Sequence, residues 1–217
     1  MIRLLVLLFV LLSVACVERE TIVQNTPESK IDCNVHYPIL VDSSGFSMYS
    51  SSYFFSEQNR KDCRAEIQSG YLKVNLSYNG KSLRRVLSTQ LDTAMLSLMV
   101  NIQSISTGSV LQIGLVSGNT IAGICIESLA DSLMVSMVGQ HEKVRILSAK
   151  INSGVQKWMQ LSIKSVPGAS VAYAALDGVE YSRGVSENVI TTGYSSVVIE
   201  AKSGNAVFYI DDIELYK

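Results

Sequence analysis

The chain has 217 residues, 47% of them hydrophobic and 17% charged, with a formal net charge of −1. Such a balance leaves no basic field to hold a nucleic acid, whose binding rests on neutralised phosphates. The length suits one large domain able to bury a real core.

The first residues, MIRLLVLLFVLLSVAC, set one positive charge at Arg3 before an unbroken apolar run from Leu4 to Leu12, then small residues leading to Cys16. This is the layout of a secretory signal peptide, assigned here to residues 1–15. A membrane-crossing helix needs roughly 20 apolar residues, and this run meets Glu18, Arg19 and Glu20 too soon. Two cleavage readings stand side by side. Ser13 and Ala15 suit an ordinary signal peptidase and a secreted product, whereas Leu12-Ser13-Val14-Ala15-Cys16 resembles the lipobox of bacterial lipoproteins. That resemblance implies a lipidated Cys16 as the mature N-terminus, anchoring the protein to the bacterial cell envelope, at the outer membrane or cell surface. The rest of residues 16–30, VERETIVQNTPESK, is polar, lacks periodicity and contains Pro27, so it reads as a flexible tether. The folded domain is expected over residues 31–217.

Cys33 and Cys63, in IDC and KDC, flank a Ser/Tyr-rich segment and form the candidate disulfide, since export permits one. Within that segment MYSSSYFF offers Tyr49, Tyr53, Phe54 and Phe55; the two phenylalanines are expected in a first strand that closes the core. From Tyr71 onward, short runs alternate with period two. YLKVNLS puts Leu72, Val74 and Leu76 on one face, LSLMVNIQSI puts Leu96, Leu98, Val100 and Ile102, LQIGLVSG puts Leu111, Ile113 and Leu115, and WMQLSIK puts Met159, Leu161 and Ile163. These are half-buried strands. Tyr78-Asn79-Gly80-Lys81 signals a tight hairpin, with further turns at Ser117-Gly118-Asn119, Asn152-Ser153-Gly154, Pro167-Gly168, Asp177-Gly178 and Ser203-Gly204-Asn205. No long window carries a helical stripe outside the signal. Cys125, inside TIAGICIESL, reads as a buried free thiol. The pattern specifies an all-β, antiparallel two-sheet sandwich.

Val155 to Tyr181, with Trp158 opening one strand and Asp177-Gly178 closing the next, resembles the hairpin of concanavalin A-like and laminin G-like jelly rolls. The close, FYIDDIELYK, resembles the last strand of these domains and of several jelly-roll carbohydrate-binding modules. The resemblance implies a single jelly-roll domain whose relatives bind glycans on a concave sheet face or at loop tips, many with a calcium ion; some are polysaccharide hydrolases or lyases. It supports fold more than ligand.

Parity raises a question about the final strand. Phe208 and Ile210 share a face, whereas Ile213 and Leu215 have the opposite parity, so a regular strand cannot send all four inward. A β-bulge at Asp211-Asp212 would restore the register. In the resembled modules an aspartate of this strand ligates calcium, which makes Asp211 and Asp212 candidate metal ligands as well.

Catalytic patterns are sparse. His36 and His141 are the two histidines, no ligand cluster surrounds either in sequence, Glu127 is a lone acid at a strand end, and the E-x-D-x-x-E of concanavalin-like hydrolases is absent. Stacking on sugars needs exposed aromatics, for which Trp158, on the side of Gln160, Ser162 and Lys164, together with Tyr181 and Tyr194 beside turns, are the candidate platform. Asn75 begins a lone glycosylation sequon, relevant to a eukaryotic host. The expectation is an exported, membrane-anchored binding module for carbohydrate or a cell-envelope polymer. Its rivals are a structural or adhesive surface protein that binds another protein, and a polysaccharide-degrading enzyme.

Overall fold

The computed structural model describes residues 40–44, 54–138, 143–150, 156–166, 169–185 and 193–217. The signal, Cys16, the tether, Cys33, both histidines, and the turns expected at residues 152–154 and 167–168 lie outside them. Among the described residues, no helix is long and apolar enough to cross a membrane.

Fourteen strands and one short helix follow in chain order: β1 (Leu40–Ser44), α1 (Glu57–Asp62), β2 (Glu66–Gln68), β3 (Tyr71–Ser77), β4 (Leu83–Leu91), β5 (Ala94–Ile105), β6 (Val110–Ser117), β7 (Thr120–Ser128), β8 (Ser132–Val138), β9 (Lys143–Lys150), β10 (Trp158–Val166), β11 (Ala169–Leu176), β12 (Val179–Val185), β13 (Tyr194–Ser203) and β14 (Asn205–Tyr216). They form two antiparallel sheets. The eight-stranded one runs β12-β11-β10-β5-β14-β3-β2 with β1 also on β14, and the six-stranded one runs β4-β13-β6-β7-β8-β9. This is a jelly-roll-like, all-β sandwich, as the alternating runs require.

Each apolar set read from the period falls in a single core. Leu72, Val74, Leu96, Val100, Ile102, Ile113, Leu115, Leu161 and Ile163 are all 0% exposed. Burying a side chain of this kind contributes about 1.5–3 kcal/mol, so the inward faces of the two sheets dominate the fold's stability. The last strand, β14, is central: it lies between β5 and β3, and the sheet closes on the end of the chain.

Turn chemistry was legible, but strand partnership was not. Asp177 and Gly178, with φ of 53° and 75°, join β11 to β12 in the expected hairpin. Asn79, with φ 64°, makes the expected turn, yet β3 and β4 part into different sheets, so it is a crossover and no hairpin forms there. A positive φ reverses the chain without deciding which strand pairs with which. Phe54 and Phe55 also depart from expectation. Both are 0% exposed and close the core, but they precede α1 and are not in a strand. Their rings pack edge to face at 5.1 Å, and Ser56 then caps α1 by accepting from the Asn59 amide at 3.2 Å.

The six-stranded sheet contains one close approach that only glycine permits. Gly114 and Gly123 face each other across β6 and β7, and a Cβ on either would come within 2.5 Å of a carbonyl oxygen on the facing strand.

Candidate functional site

The two sheets differ on their outward faces. Across the six-stranded sheet, Glu200, Gln112, Cys125, Ser136 and Arg145 stand in one cross-strand row. Its centre is closed: Gln112 is 3% exposed, Cys125 5% and Ser136 1%. Burial pushes the Cys125 thiol up to about 11, so it is an unreactive protonated group at neutral pH. Glu127, the lone acid at a strand end, is half-buried and paired with Lys143.

The outward face of the eight-stranded sheet is open and carries aromatics. Trp158 on β10 and Tyr209 on β14 are both in register with Asn101 on β5, so they flank it. Tyr71, at the start of β3, leans over this row. Its ring centroid lies 5.0 Å from that of Trp158 and 6.1 Å from that of Tyr209, at interplanar angles of 53° and 57°. Tyr71 is 36% exposed, and Trp158 and Tyr209 are half-buried. Beneath them Asn101 is 8% exposed. Its Oδ1 accepts from Gln103 Nε2 at 2.6 Å. Tyr209 donates its hydroxyl hydrogen to Gln68 Oε1 at 3.3 Å, which fixes the third ring.

Two shallow hollows continue from this cluster and meet at Gln160. One is lined by Ser97, Met99, Asp212 and Glu214, the other by Ser162, Tyr173 and Glu180. Glu214 accepts a hydrogen bond from the Tyr216 hydroxyl at 2.8 Å, and that bond raises the Tyr216 pKa.

The aspartate pair of the last strand is a bulge. Asp211 lies opposite Met99 and Glu214 opposite Ser97, so three steps on β14 answer two on β5. Asp212 takes φ 44°, in the left-handed region that Asp and Asn tolerate. As the parity argument demands, Phe208, Ile210, Ile213 and Leu215 are all 0% exposed. The bulge also turns Asp212 to the surface at the edge of a hollow. No group of three or more His, Cys, Asp or Glu that could hold a metal occurs among the described residues. A calcium ion on Asp212 or Glu214 would therefore take its other oxygens from backbone, amide or hydroxyl groups.

The candidate platform changes membership. Trp158 belongs to it. Tyr181 does not, because it pairs with Ala174, whose side chain enters the core, and so occupies the inner side of edge strand β12, opposite to Trp158. Tyr194 is a correction: it is 1% exposed and part of the core. At the start of β13 it points inward, and its hydroxyl bonds Ser165 Oγ, which in turn bonds Ser170 Oγ. Burial raises its pKa. Tyr71 and Tyr209 take the vacant roles. Parity alone marks both as outward aromatics, Tyr71 with Lys73 and Asn75, and Tyr209 between the inward Phe208 and Ile210, but no linear spacing joins them to Trp158.

Cys63 is buried, 3% exposed, with its thiol pushed up to about 11 by burial. Cys33 lies outside the described residues, so the proposed pairing stays an expectation.

No family model and no curated sequence matches the chain. Solved structures do. The chain is similar to the alginate lyase from Klebsiella pneumoniae, at 8% identity and a TM-score of 0.55 over 70% of this chain and 83% of that one. It is similar to the CBM2 module of the evolved Dit of Lactobacillus casei BL23 phage J-1, at 8% identity and a TM-score of 0.53 over 82% and 94%. It also matches the botulinum neurotoxin serotype D binding domain, at 11% identity and a TM-score of 0.52 over 82% and 48%. The chain spans less than half the length of the neurotoxin binding domains it matches. At such identities the likeness establishes the sandwich fold.

Proposed function

We propose that this protein is a non-enzymatic glycan-binding module, exported and held on the bacterial envelope through a lipidated Cys16, with a jelly-roll-like sandwich carried outside the cytoplasm on a tether. One observation carries the reading: three aromatic rings from three strands, Tyr71, Trp158 and Tyr209, gather on the open face of a sheet beside polar hollows. Sugar rings present flat C–H faces that stack on aromatics, while their hydroxyls take up hydrogen bonds from side chains such as Gln160, Asp212 and Glu214. The fold neighbours, an alginate lyase and a CBM2 module among them, add support to a carbohydrate ligand. A protein-binding surface protein calls for a contiguous apolar patch. Besides Tyr71 of the aromatic cluster, the exposed large apolar and tyrosine side chains among the described residues, Tyr78, Val86, Leu129 and Val179 with Tyr181, come instead from four separate stretches of the chain.

Trp158 is the chain's single tryptophan, so its emission reports directly on the site. Titration of the full chain with oligosaccharides should change that emission saturably, and Tyr71→Ala should abolish the change while the melting temperature moves little. A flat response across a broad glycan panel would sink the reading. For the anchor, Cys16→Ser should move the protein from the membrane to the soluble fraction with its fold intact; persistence in the membrane fraction would refute lipidation.

A further inference from the structure

Resting on that reading, we infer that the site takes a glycan without acidic groups and rejects uronic-acid and sulfated polymers. Gln160 lies two residues beyond Trp158 on the same face of β10, about 7 Å along the strand. The hollows that meet at Gln160 therefore prolong the aromatic surface in the direction a bound chain would run. Their charged lining among the described residues is of one sign: Asp212 and Glu214 on one side and Glu180 on the other, with no lysine or arginine among the described residues of either hollow. Lys164 stands beyond Ser162, outside both linings, and Lys73 is in register with Tyr209 on the far side of the aromatic cluster. Lys157, next to Trp158, is paired with Asp177.

Ionised carboxylates only accept hydrogen bonds, and sugar hydroxyls donate them, so Asp212 and Glu214 suit an uncharged polyol. A uronate chain offers acceptors to these acceptors and brings a negative charge to each sugar. Recognition of such a polymer calls for arginine or lysine, and the hollows supply neither. Two like charges about 5 Å apart cost between a fewfold in affinity in bulk water and on the order of a hundredfold near a protein surface. Discrimination of about tenfold or more against an acidic chain follows, and it should shrink as salt screens the site.

The experiment titrates the full chain by Trp158 emission, with and without calcium. Its probes are neutral hexasaccharides (cello-, manno-, xylo- and N-acetylchito-oligomers), oligomannuronate, and oligogalacturonate beside its methyl-esterified form. The expected result is saturable binding of at least one neutral probe, no uronate within tenfold of it, and methyl esterification that never weakens binding. Uronate binding as tight as the best neutral probe, in either condition, overturns the inference and leaves the glycan module standing. No response to any probe overturns both. The double variant Asp212→Asn with Glu214→Gln keeps one acceptor oxygen at each residue, replaces the other with an amide donor, and keeps the left-handed position at residue 212, since Asn tolerates that backbone. It should narrow the gap between oligogalacturonate and its methyl ester to within about threefold. An unchanged gap would show that these carboxylates do not set the preference.

Discussion

The bulge at residue 212 makes the sharpest prediction about this fold. Deleting Asp212 alone would leave a regular strand with every face kept, but deleting Asp211 and Asp212 together sets Ile213 opposite Met99 and Leu215 opposite Ser97, so that both exchange faces with Glu214 and Tyr216. Both aliphatic side chains are now 0% exposed, and exposing them costs about 1.5–3 kcal/mol each. Burying the Glu214 carboxylate costs several kcal/mol more, about 2–5 even if it protonates. The loss, roughly 5–10 kcal/mol, rivals the whole stability of an ordinary domain, about 5–15 kcal/mol. At about 2–4 °C per kcal/mol for a chain of this size, the double deletion should lower the melting temperature by about 15 °C or more, or abolish cooperative folding. Substitutions at residue 212 separate geometry from chemistry. Asp212→Gly should be nearly neutral because glycine accepts a φ of 44° freely. Asp212→Val should lose about 1–2 kcal/mol to strain in the left-handed region. Circular dichroism melts of the full chain, with calcium and with chelator, measure all three. A double deletion that melts within a few degrees of the parent, or a valine no worse than glycine, refutes the bulge as the reason for the pair. A calcium-dependent rise in melting temperature that disappears in Asp212→Gly would instead assign the aspartate to a metal.

Three further outcomes follow from buried groups. Tyr194→Phe removes one hydrogen bond and leaves Ser165 bonded to Ser170, so it should cost about 1 kcal/mol in a melt and leave Trp158-reported binding unchanged; lost binding would return Tyr194 to the platform. For Cys125, burial raises the thiol from 9.0 to about 11. Below pH 9 the folded and unfolded states are both protonated; between pH 9 and 11 the unfolded thiol ionises first, and stability falls by up to about 1.4 kcal/mol per pH unit. Cys63 titrates in the same window, so Cys125→Ala should make the decline shallower without removing it, and an identical pH profile for the variant would refute the buried-thiol assignment. Gly123→Ala drives a methyl to within 2.5 Å of the Ile113 carbonyl oxygen, so denaturant melts should show a loss of about 1–3 kcal/mol, and a neutral result would mean that the two strands separate easily there.

What could be read in the sequence divides along a physical line. Alternation is a property of single strands, so the inward sets of β3, β5, β6 and β10 were legible without knowing any partner, as was the break in parity at Asp211-Asp212. Pairing is a property of distant segments. Nothing local says that the chain's last strand lies between β5 and β3, or that the Asn79 turn sends β4 to the other sheet. The platform belongs to the second kind. Trp158 could be placed on an outward face by its neighbours, but it meets Tyr71 and Tyr209 only because β10, β5, β14 and β3 are consecutive in the sheet. Tyr194 failed for the converse reason: proximity to a glycine turn says nothing about which way the first residue of β13 points, and its hydroxyl finds buried partners on β10 and β11.

The aspartates of the last strand first posed a choice between strand geometry and ligand chemistry. The structure makes that choice unnecessary. Two residues separate Ile210 from Ile213 where a regular strand would hold one, so one must bulge for both pairs of apolar residues to enter the core, and a bulged residue is held away from the sheet's regular side-chain rows. Asp satisfies the positive φ at that position, and its carboxylate consequently stands at the edge of the hollow beside Ser97 and Met99. Asn or Gly would satisfy the backbone equally well, so the fold alone does not account for a charge at residue 212. The proposed recognition of hydroxyl donors on an uncharged glycan would, and the comparison of Asp212→Asn with Asp212→Gly in binding and in melting assays separates the two demands on that one residue.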